Sequence, residues 1–128
     1  MINYKFVNDR SLKALIIDDE LDICFLLSRI LNQKNFDTDY VNKLSDADTA
    51  LKKEPPSIIF LDNHLPDGLG IDFIEHIKIN YPATKIVMIT AHDTPADRSQ
   101  ALQRGVDLFL GKPFTKEAIT SAVNKLCA

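Results

Sequence analysis

Asp62 is the residue of this chain that is best placed to do chemistry, because it ends an apolar run and is followed by a turn. The run 57–61 is rich in Ile and Phe and too short for a helix, so it predicts a strand buried on both faces of a parallel sheet. Ligands of open parallel α/β sheets bind just beyond the carboxyl ends of the strands. The position of Asp62 therefore predicts a reactive carboxylate at that edge.

Three other predicted strands end in residues that suit ionic chemistry. Asp18 and Asp19 follow the strand Leu12–Ile17, Thr90 ends the strand Lys85–Thr90, and Lys112 follows the strand 107–110. Three carboxylates about 4 Å apart repel one another by several kcal/mol per pair at an effective dielectric of about 20, so such a cluster requires a cation. Oxygen ligands with room for water suit Mg²⁺, with Mn²⁺ as an alternative.

The same residue types suit phosphoryl transfer. A carboxylate such as that of Asp62 can attack phosphorus and form an aspartyl phosphate. The charge on the phosphoryl oxygens must be neutralised, and Mg²⁺, an ammonium group and a hydroxyl group supply that. Lys112 and Thr90 are residues of the right type.

The elements between these strand ends follow from apolar spacing and from capping signals. Helical stripes are formed by Ile23, Leu26, Leu27, Ile30 and Leu31, by Ile71, Phe73, Ile74 and Ile77, and by Ile119, Val123 and Leu126. A capping box at 45–48 predicts the start of a further helix, which Pro55 and Pro56 must end. Thr94 predicts the N-cap of another helix, which Gly105 ends. The strand Phe36–Val41 alternates apolar and charged residues, as an exposed edge strand does.

Five strand–helix units predict a doubly wound α/β fold. We expect a five-stranded parallel sheet of flavodoxin-like strand order 2-1-3-4-5 with helices on both faces, since short right-handed crossovers place helices on either side. Reversal of the winding after the first strand brings the ends of strands one, three, four and five around one crevice. Residues 1–11 are expected to be a short arm, and residues 12–128 a single domain.

Composition excludes several classes of function. The net charge is −3 and Lys and Arg are not clustered, which argues against direct contact with nucleic acid. No apolar run approaches the roughly 20 residues of a membrane span, and the start of the chain does not resemble a signal peptide. Cys24 and Cys127 lie far apart and suggest reduced thiols. We therefore expect a cytoplasmic protein without a membrane partner.

The order and spacing of the motifs resemble those of the receiver domain of bacterial two-component response regulators, from Leu12 to the end of the chain. The matching features are Asp18-Asp19, Asp62 with Pro66 and Gly70, Thr90-Ala91, and Lys112-Pro113-Phe114. The resemblance implies that Asp62 accepts a phosphoryl group from a phosphohistidine on a sensor histidine kinase or a histidine phosphotransfer protein. Such a domain is not an enzyme in the usual sense, because it assists only its own Mg²⁺-dependent phosphorylation and dephosphorylation.

The resemblance also assigns roles within the site. Asp19, Asp62 and the backbone carbonyl of His64 would bind Mg²⁺, and Asp18 would act mainly through water. Thr90, Ala91 and Lys112 would bind the phosphoryl group, and Pro113 is a candidate for a cis turn. Asn63, His64 and His92 depart from the commonest family pattern, and we hypothesise that they tune the lifetime of the phosphorylated state.

The resemblance further implies a switch. Thr90 would shift toward the phosphoryl group and Phe109 would turn inward after it, changing the face formed by the fourth helix, fifth strand and fifth helix. A phosphoryl group adds about two negative charges, enough to bias such an element by a few kcal/mol. That face would control an output domain or a partner protein, and the chain would be a monomer or a phosphorylation-dependent homodimer.

Other classes of protein share parts of this pattern. A flavin-binding electron carrier shares this fold, but Asp18 and Asp19 would repel a phosphate after the first strand. A phosphohydrolase with an Asp nucleophile has a second acid two residues further on, where this chain has His64. A receiver-like docking module that signals without phosphate remains an alternative, and the sequence leaves open whether the chain is a stand-alone receiver or part of a longer regulator. Outside the site, His76 is expected to face solvent and Phe25 to be partly buried.

Overall fold

The structure, a computed structural model, describes residues 12–127, and the expected arm at 1–11 lies outside the described residues. Its main element is a sheet of five parallel strands in the order β2-β1-β3-β4-β5. The strands are β1 (Leu12–Ile17), β2 (Phe36–Val41), β3 (Ile58–Asp62), β4 (Lys85–Thr90) and β5 (Leu108–Gly111). This confirms the predicted doubly wound sheet and its strand order.

Five helices cover the two faces of the sheet. They are α1 (Leu21–Asn32), α2 (Leu44–Lys53), α3 (Ile74–Asn80), α4 (Pro95–Arg104) and α5 (Lys116–Cys127). Helices α1 and α5 pack on one face, and α2, α3 and α4 pack on the other. A short antiparallel pair, His64–Leu65 with Gly68–Leu69, and a 3-10 turn, Gly70–Phe73, lie between β3 and α3.

The central strand is apolar throughout because each face has its own core. In β3, Ile58 and Phe60 lie in the core beneath α1 and α5, whereas Ile59 and Leu61 lie in the core beneath α2, α3 and α4. All four side chains are fully buried, and each contributes about 1.5–3 kcal/mol of hydrophobic free energy. These two cores fix β3, and so they fix the carboxylate at its end.

Two predicted helix boundaries have different outcomes. The N-cap of α4 is confirmed, since the Asp97 amide donates to Thr94 Oγ1 at 3.1 Å, and α4 ends at Gly105 with a φ of 111°. The capping box predicted at 45–48 is wrong, because no side chain of that segment caps α2. Instead the Asp67 carboxylate accepts from the amides of Leu44 at 2.8 Å and Ser45 at 3.0 Å.

The predicted stripe of α1 is confirmed for Leu27, Ile30 and Leu31, which are buried, and for Ile23, which packs against the same core, but it is wrong at Leu26. Cys24 is fully buried in the stripe, whereas Leu26 is 46% exposed and Phe25 is 56% exposed. Phe25 instead makes an edge contact with the ring of Tyr40, with centroids 5.8 Å apart. Cys24 and Leu26 lie on either side of the buried stripe, and apolar spacing alone does not decide which of the two is buried, which explains the error at Leu26.

His76 does not simply face solvent as expected. Its Nε2 lies 2.8 Å from Asp48 Oδ1, so the imidazole joins α3 to α2, and its side chain is 40% exposed.

Over residues 12–127, no helix is long and apolar enough to cross a membrane.

Candidate functional site

Acidic side chains and one lysine converge at the carboxyl edge of the sheet. Asp18 directly follows β1, Asp62 ends β3, and Lys112 directly follows β5. Ligand oxygens of Asp18, Asp19, Glu20 and Asp62 all lie within 4.8 Å of one another. The parallel arrangement of β1, β3 and β5 places their carboxyl ends on one edge, which is why residues distant in sequence meet here.

Lys112 is the cation at the centre of this acidic cluster. Its Nζ lies 2.8 Å from Glu20 Oε1, 2.9 Å from Asp18 Oδ2 and 3.6 Å from Asp62 Oδ1. Burial by itself would lower the pKa of Lys112, but its interactions with the carboxylates of Glu20 and Asp18 outweigh that effect and leave the pKa raised. The ammonium group therefore stays charged, and one positive charge faces several carboxylates.

Burial disfavours the ionised form of the two buried acids of the cluster, Asp18 and Asp62. Asp62 is only 4% exposed, and burial, reinforced by the charge of Asp18, raises the pKa of Asp62 to about 6. Burial also raises the pKa of Asp18, against the lowering effects of the Glu20 amide and of Lys112. Lys112 thus compensates the two buried carboxylates only in part.

The donor set fits a hard divalent cation. Asp18 Oδ1 accepts from the Glu20 amide at 2.9 Å. Asp18 Oδ2 is buried and, although the Lys112 ammonium is close, no donor among the described residues is aimed at it as a hydrogen bond. A buried carboxylate oxygen without a hydrogen bond is costly, and carboxylate oxygens are the ligands that Mg²⁺ and Mn²⁺ prefer. The residues present therefore fit Mg²⁺.

The backbone of Asp18 is held by two side chains that sequence reasoning did not place in the site. Asn42 Nδ2 donates to the Asp18 carbonyl at 2.8 Å, and Cys24 Sγ donates to the same oxygen at 3.3 Å. Burial raises the pKa of Cys24 to about 11, so the thiol is a protonated donor and not a nucleophile. Asn42 is 24 positions from Asp18 along the chain, and no local sequence signal links the two.

Glu20 is a further site residue that sequence reasoning noted only as a neighbouring acid. Its side chain is 60% exposed and engages Lys112 from the rim of the cluster. A partner for Lys112 that lies 92 residues away cannot be identified from spacing alone. The run Asp18-Asp19-Glu20 was nevertheless a signal for it.

The loop after β3 is fixed around Asn63. The amide of Asn63 donates to Asp62 Oδ1 at 2.9 Å, and its side-chain oxygen accepts from the Ile71 amide at 2.9 Å. Gly70 donates to the Asn63 carbonyl at 2.7 Å, and a Cβ at Gly70 would collide with the Asp62 carbonyl. The side chain of Asn63 thus holds the loop in place beside Asp62.

The remaining site candidates lie on β4, β5 and the turns that follow them. Thr90 is buried, its Oγ1 accepts from the His92 amide at 3.2 Å, and its carbonyl accepts from the Lys112 amide at 2.8 Å. Ala91 is exposed. Phe109 is 5% exposed, which places its ring inward. The Lys112–Pro113 peptide is cis.

Two histidines lie against each other, each two residues beyond the end of a central strand. His64 and His92 are both exposed, and their ring centroids are 4.1 Å apart. Beneath them lies a cavity of about 280 Å³ that is also lined by Thr90 and Phe109. Both imidazoles therefore border a cavity that reaches Thr90 at the end of β4.

Comparisons with known proteins agree with this geometry. The family model described as response regulator receiver domain matches residues 14–124. The response regulator protein PilR of Pseudomonas aeruginosa is 40% identical over 101 residues, which cover 79% of this chain and 23% of PilR. The chain spans between about a quarter and a half of the length of the first curated relatives that it matches.

Solved structures match over most of the chain. The beryllofluoride-activated NtrC4 receiver domain dimer is 32% identical with a TM-score of 0.85, and the match covers 89% of this chain and 94% of that one. A response regulator from Burkholderia pseudomallei, solved with a phosphorylated aspartic acid, a calcium ion and citrate, is 26% identical with a TM-score of 0.82. That match covers 88% of this chain and 66% of that one.

Proposed function

Because this chain belongs to the response regulator receiver domain family, whose members act in phosphorylation-dependent signalling, we propose that Asp62 is its phosphoryl acceptor. The observation that carries the proposal is the burial of Asp62 beside Asp18 and Lys112 at the carboxyl edge of the sheet. The donor is a phosphohistidine on a sensor histidine kinase or a histidine phosphotransfer protein. The Burkholderia pseudomallei regulator with its phosphorylated aspartic acid supports this chemistry.

The transfer requires Asp62 to be ionised. A carboxylate oxygen of Asp62 attacks the phosphorus atom, a phosphorus–oxygen bond forms, and the phosphorus–nitrogen bond to the donor imidazole breaks. The imidazole leaves with the bonding electron pair and takes up a proton from solvent. Burial works against ionisation of Asp62, whereas the Lys112 ammonium favours it.

Asp19, Asp62 and the backbone carbonyl of His64 would hold Mg²⁺, or Mn²⁺ in its place, and Asp18 would act mainly through water. When bound, the ion neutralises charge on the acidic cluster and on the phosphoryl oxygens. Support comes from the oxygen donor set and from the buried Asp18 Oδ2. Lys112 then binds a phosphoryl oxygen, at the expense of its contact with Glu20.

The signal passes through Thr90 and Phe109. The Thr90 hydroxyl and the Ala91 backbone bind the phosphoryl group, and Phe109 reports that binding to the face formed by α4, β5 and α5. This face then controls an output domain or a partner protein, or pairs with a second copy of the chain. The NtrC4 receiver, which is a dimer in its beryllofluoride-activated form, supports the last possibility.

Intact-mass measurement after incubation with acetyl phosphate tests the acceptor. We expect wild type to gain the mass of one phosphoryl group in Mg²⁺ and none in EDTA, and Asp62→Asn to gain none. Asp48→Asn is the matched control, because Asp48 is an acid of α2 outside the site, and we expect it to gain the same mass as wild type. No gain for wild type with any donor would overturn the proposal and favour a docking module that acts without phosphate.

The lifetime of the phosphorylated form tests the role of His64 and His92. We propose that they tune hydrolysis, because they lie two residues after Asp62 and Thr90 and their paired rings line a cavity that reaches Thr90. Alanine at either position is expected to change the hydrolysis rate, and His76→Ala, in α3, is expected to leave it unchanged. Equal rates for all three variants and wild type would show that the pair has no tuning role.

A further inference from the structure

Arg98 of α4 makes three separate contacts around the ring of Phe109. Its guanidinium carbon lies 4.8 Å from the centre of the ring. Its Nη1 donates to the Phe109 carbonyl at 3.2 Å, and its Nη2 donates to Asp93 Oδ1 at 2.6 Å. One side chain therefore joins α4, β5 and the turn between β4 and α4.

The Asp93 end of this arrangement is fitted to Gly111. A Cβ at Gly111 would collide with the Asp93 carboxylate, so the carboxylate lies directly against the backbone of β5. Gly111 is also the strand partner of Thr90. The Asp93 carboxylate, in the turn that carries Ala91 and His92, thus lies against β5, and Arg98 binds both Asp93 and the Phe109 carbonyl of β5.

The ring of Phe109, which also borders the cavity below His64 and His92, contacts the core and Arg98. On its inner side it belongs to the core that contains Met88, its strand partner on β4. On its outer side lies the guanidinium of Arg98, which stacks favourably on an aromatic face. Phe has no hydroxyl group with which to hold an outward position by a hydrogen bond. Arg98 thus adds to the burial of the ring a contact that an outward ring would lose.

We propose that Arg98 and Asp93 form a clasp that holds Phe109 inward before any phosphoryl group is bound, so that Arg98 is a positioning residue of the switch. The proposal rests on the role of Phe109 in the proposed function. A two-state element responds to phosphorylation according to the population of its competent state, and the clasp raises that population in advance. Loss of the clasp should therefore weaken binding of a phosphoryl mimic without touching the acceptor site.

The position of the ring can be measured without phosphate. In NMR spectra of the unphosphorylated chain, we expect nuclear Overhauser contacts between the Phe109 ring and the Met88 methyl group. These contacts should weaken in Arg98→Ala and persist in Arg104→Ala. Arg104 is the matched control, because it lies on the same helix and pairs at the surface with Asp72 at 3.5 Å. Contacts of undiminished intensity in Arg98→Ala would overturn the clasp, whatever the outcome with phosphate.

Beryllofluoride binding in Mg²⁺ tests the consequence for the switch. We expect Arg98→Ala to bind this mimic about three- to tenfold more weakly than wild type, since an exposed cation–π contact and an ion pair are lost. Arg98→Lys keeps the charge facing Asp93 but not the planar stacking, so it should recover part of the loss. Gly111→Ala should displace Asp93 and weaken binding from the other end of the clasp.

A double-mutant cycle separates this role from a merely structural one. If Arg98 acts through the aromatic ring, Arg98→Ala should have no further effect on beryllofluoride affinity in a Phe109→Leu background. An equal loss in both backgrounds would overturn the proposal. Failure of wild type to bind the mimic would count against the proposed function, and the NMR contacts would still decide for or against the clasp.

Discussion

Polar side chains at the amino end of the sheet are paired by hydrogen bonds, whereas the buried acids at its carboxyl end are crowded together. At the amino end, Thr84 is 2% exposed and donates to the Pro56 carbonyl at 2.7 Å. Asp107, also at that end, accepts from the Ile86 amide at 2.8 Å and from Lys78 at 3.2 Å. The buried acids at the carboxyl end have no such balance, because burial and mutual repulsion raise their pKa values.

This difference separates stability from function within one sheet. Buried polar groups that are fully hydrogen-bonded add to the stability of a fold, whereas crowded charges lower it. A functional site can retain such a conflict because a ligand or cation relieves it. The crowded acids at the carboxyl end of this sheet therefore lower the stability of the fold, whereas the hydrogen-bonded groups at the amino end add to it.

The largest effect is expected from removing the ammonium group of Lys112 from the acidic cluster. Lys112→Met leaves the carboxylates of Asp18 and Asp62 buried without a counter-charge, and we expect the free energy of unfolding to fall by about 3 kcal/mol at pH 7.5 without divalent cations. Urea denaturation followed by circular dichroism measures this. Added Mg²⁺ should restore more stability to Lys112→Met than it adds to wild type.

Lys85→Met is the matched control at the other end of the sheet. Lys85 is exposed at the amino end of β4, and we expect its replacement to change the free energy of unfolding by less than about 0.5 kcal/mol. Equal effects of the two substitutions would contradict the proposed difference between the ends.

Removing an acid should have the opposite sign. In EDTA at pH 7.5, Asp62→Asn should raise the free energy of unfolding by about 2 kcal/mol, because it removes a buried charge whose folded-state pKa is about 6. Between the ordinary aspartate pKa and that value the folded chain binds more protons than the unfolded chain. This group's contribution to stability therefore falls as pH rises from about 4 through 6. Denaturation across this range should show the advantage of Asp62→Asn vanish near pH 4.

The same substitution at the amino end sharpens the comparison. Asp107→Asn keeps an oxygen for the Ile86 amide but loses the ion pair with Lys78, so we expect a loss of about 0.5 kcal/mol. A stabilising effect of Asp107→Asn would mean that burial of acids is unfavourable at both ends of the sheet.

The fold could be predicted from the sequence because its signals are local. Strands buried on both faces contain little except apolar residues, and Thr94 and Gly105 mark the ends of α4 within a few residues of the helix itself. The positions of the strand ends then follow from topology. The grouping of Asp18, Asp62 and Lys112 was expected for this reason.

What was not predicted depends on contacts between distant residues. Asn42 reaches the Asp18 carbonyl, Glu20 reaches Lys112, and Arg98 reaches Phe109, and none of these contacts has a signature in spacing. The burial of Leu26 in α1 was predicted wrongly because Leu26 is as apolar as the residues that are buried. The hydrogen bond between His76 and Asp48 was missed because it joins two helices.

A smaller effect on the free energy of unfolding is expected from replacing either of two buried threonines near opposite ends of β4. Thr84 donates to a backbone carbonyl, whereas Thr90 Oγ1 accepts from the His92 amide in a turn at the site. We expect Thr84→Val to lower the free energy of unfolding by about 1 kcal/mol and Thr90→Val to lower it less. Thr90→Val should instead weaken beryllofluoride binding, and Thr84→Val should not. The reverse pattern of stabilities would contradict the assignment of stability to the amino end.

The smallest expected effect concerns Asp67, an acid near the carboxyl edge whose negative charge is stabilised by hydrogen bonds. Hydrogen bonds from the amides of Leu44 and Ser45 lower the pKa of Asp67, in contrast to the raised pKa of Asp62. Its contribution to stability is therefore present above the ordinary aspartate pKa and is lost as pH falls through the lowered value. Asp67→Ala should lower the thermal midpoint at pH 7, and it should lower it less at a pH below the lowered pKa of Asp67. Ser45→Ala should leave the thermal midpoint unchanged. A lower midpoint for Ser45→Ala alone would mean that Ser45, and not Asp67, caps α2. Opposite pH trends for Asp62→Asn and Asp67→Ala would show that unfavourable burial of charge is confined to the buried acidic cluster and does not extend to the whole carboxyl edge.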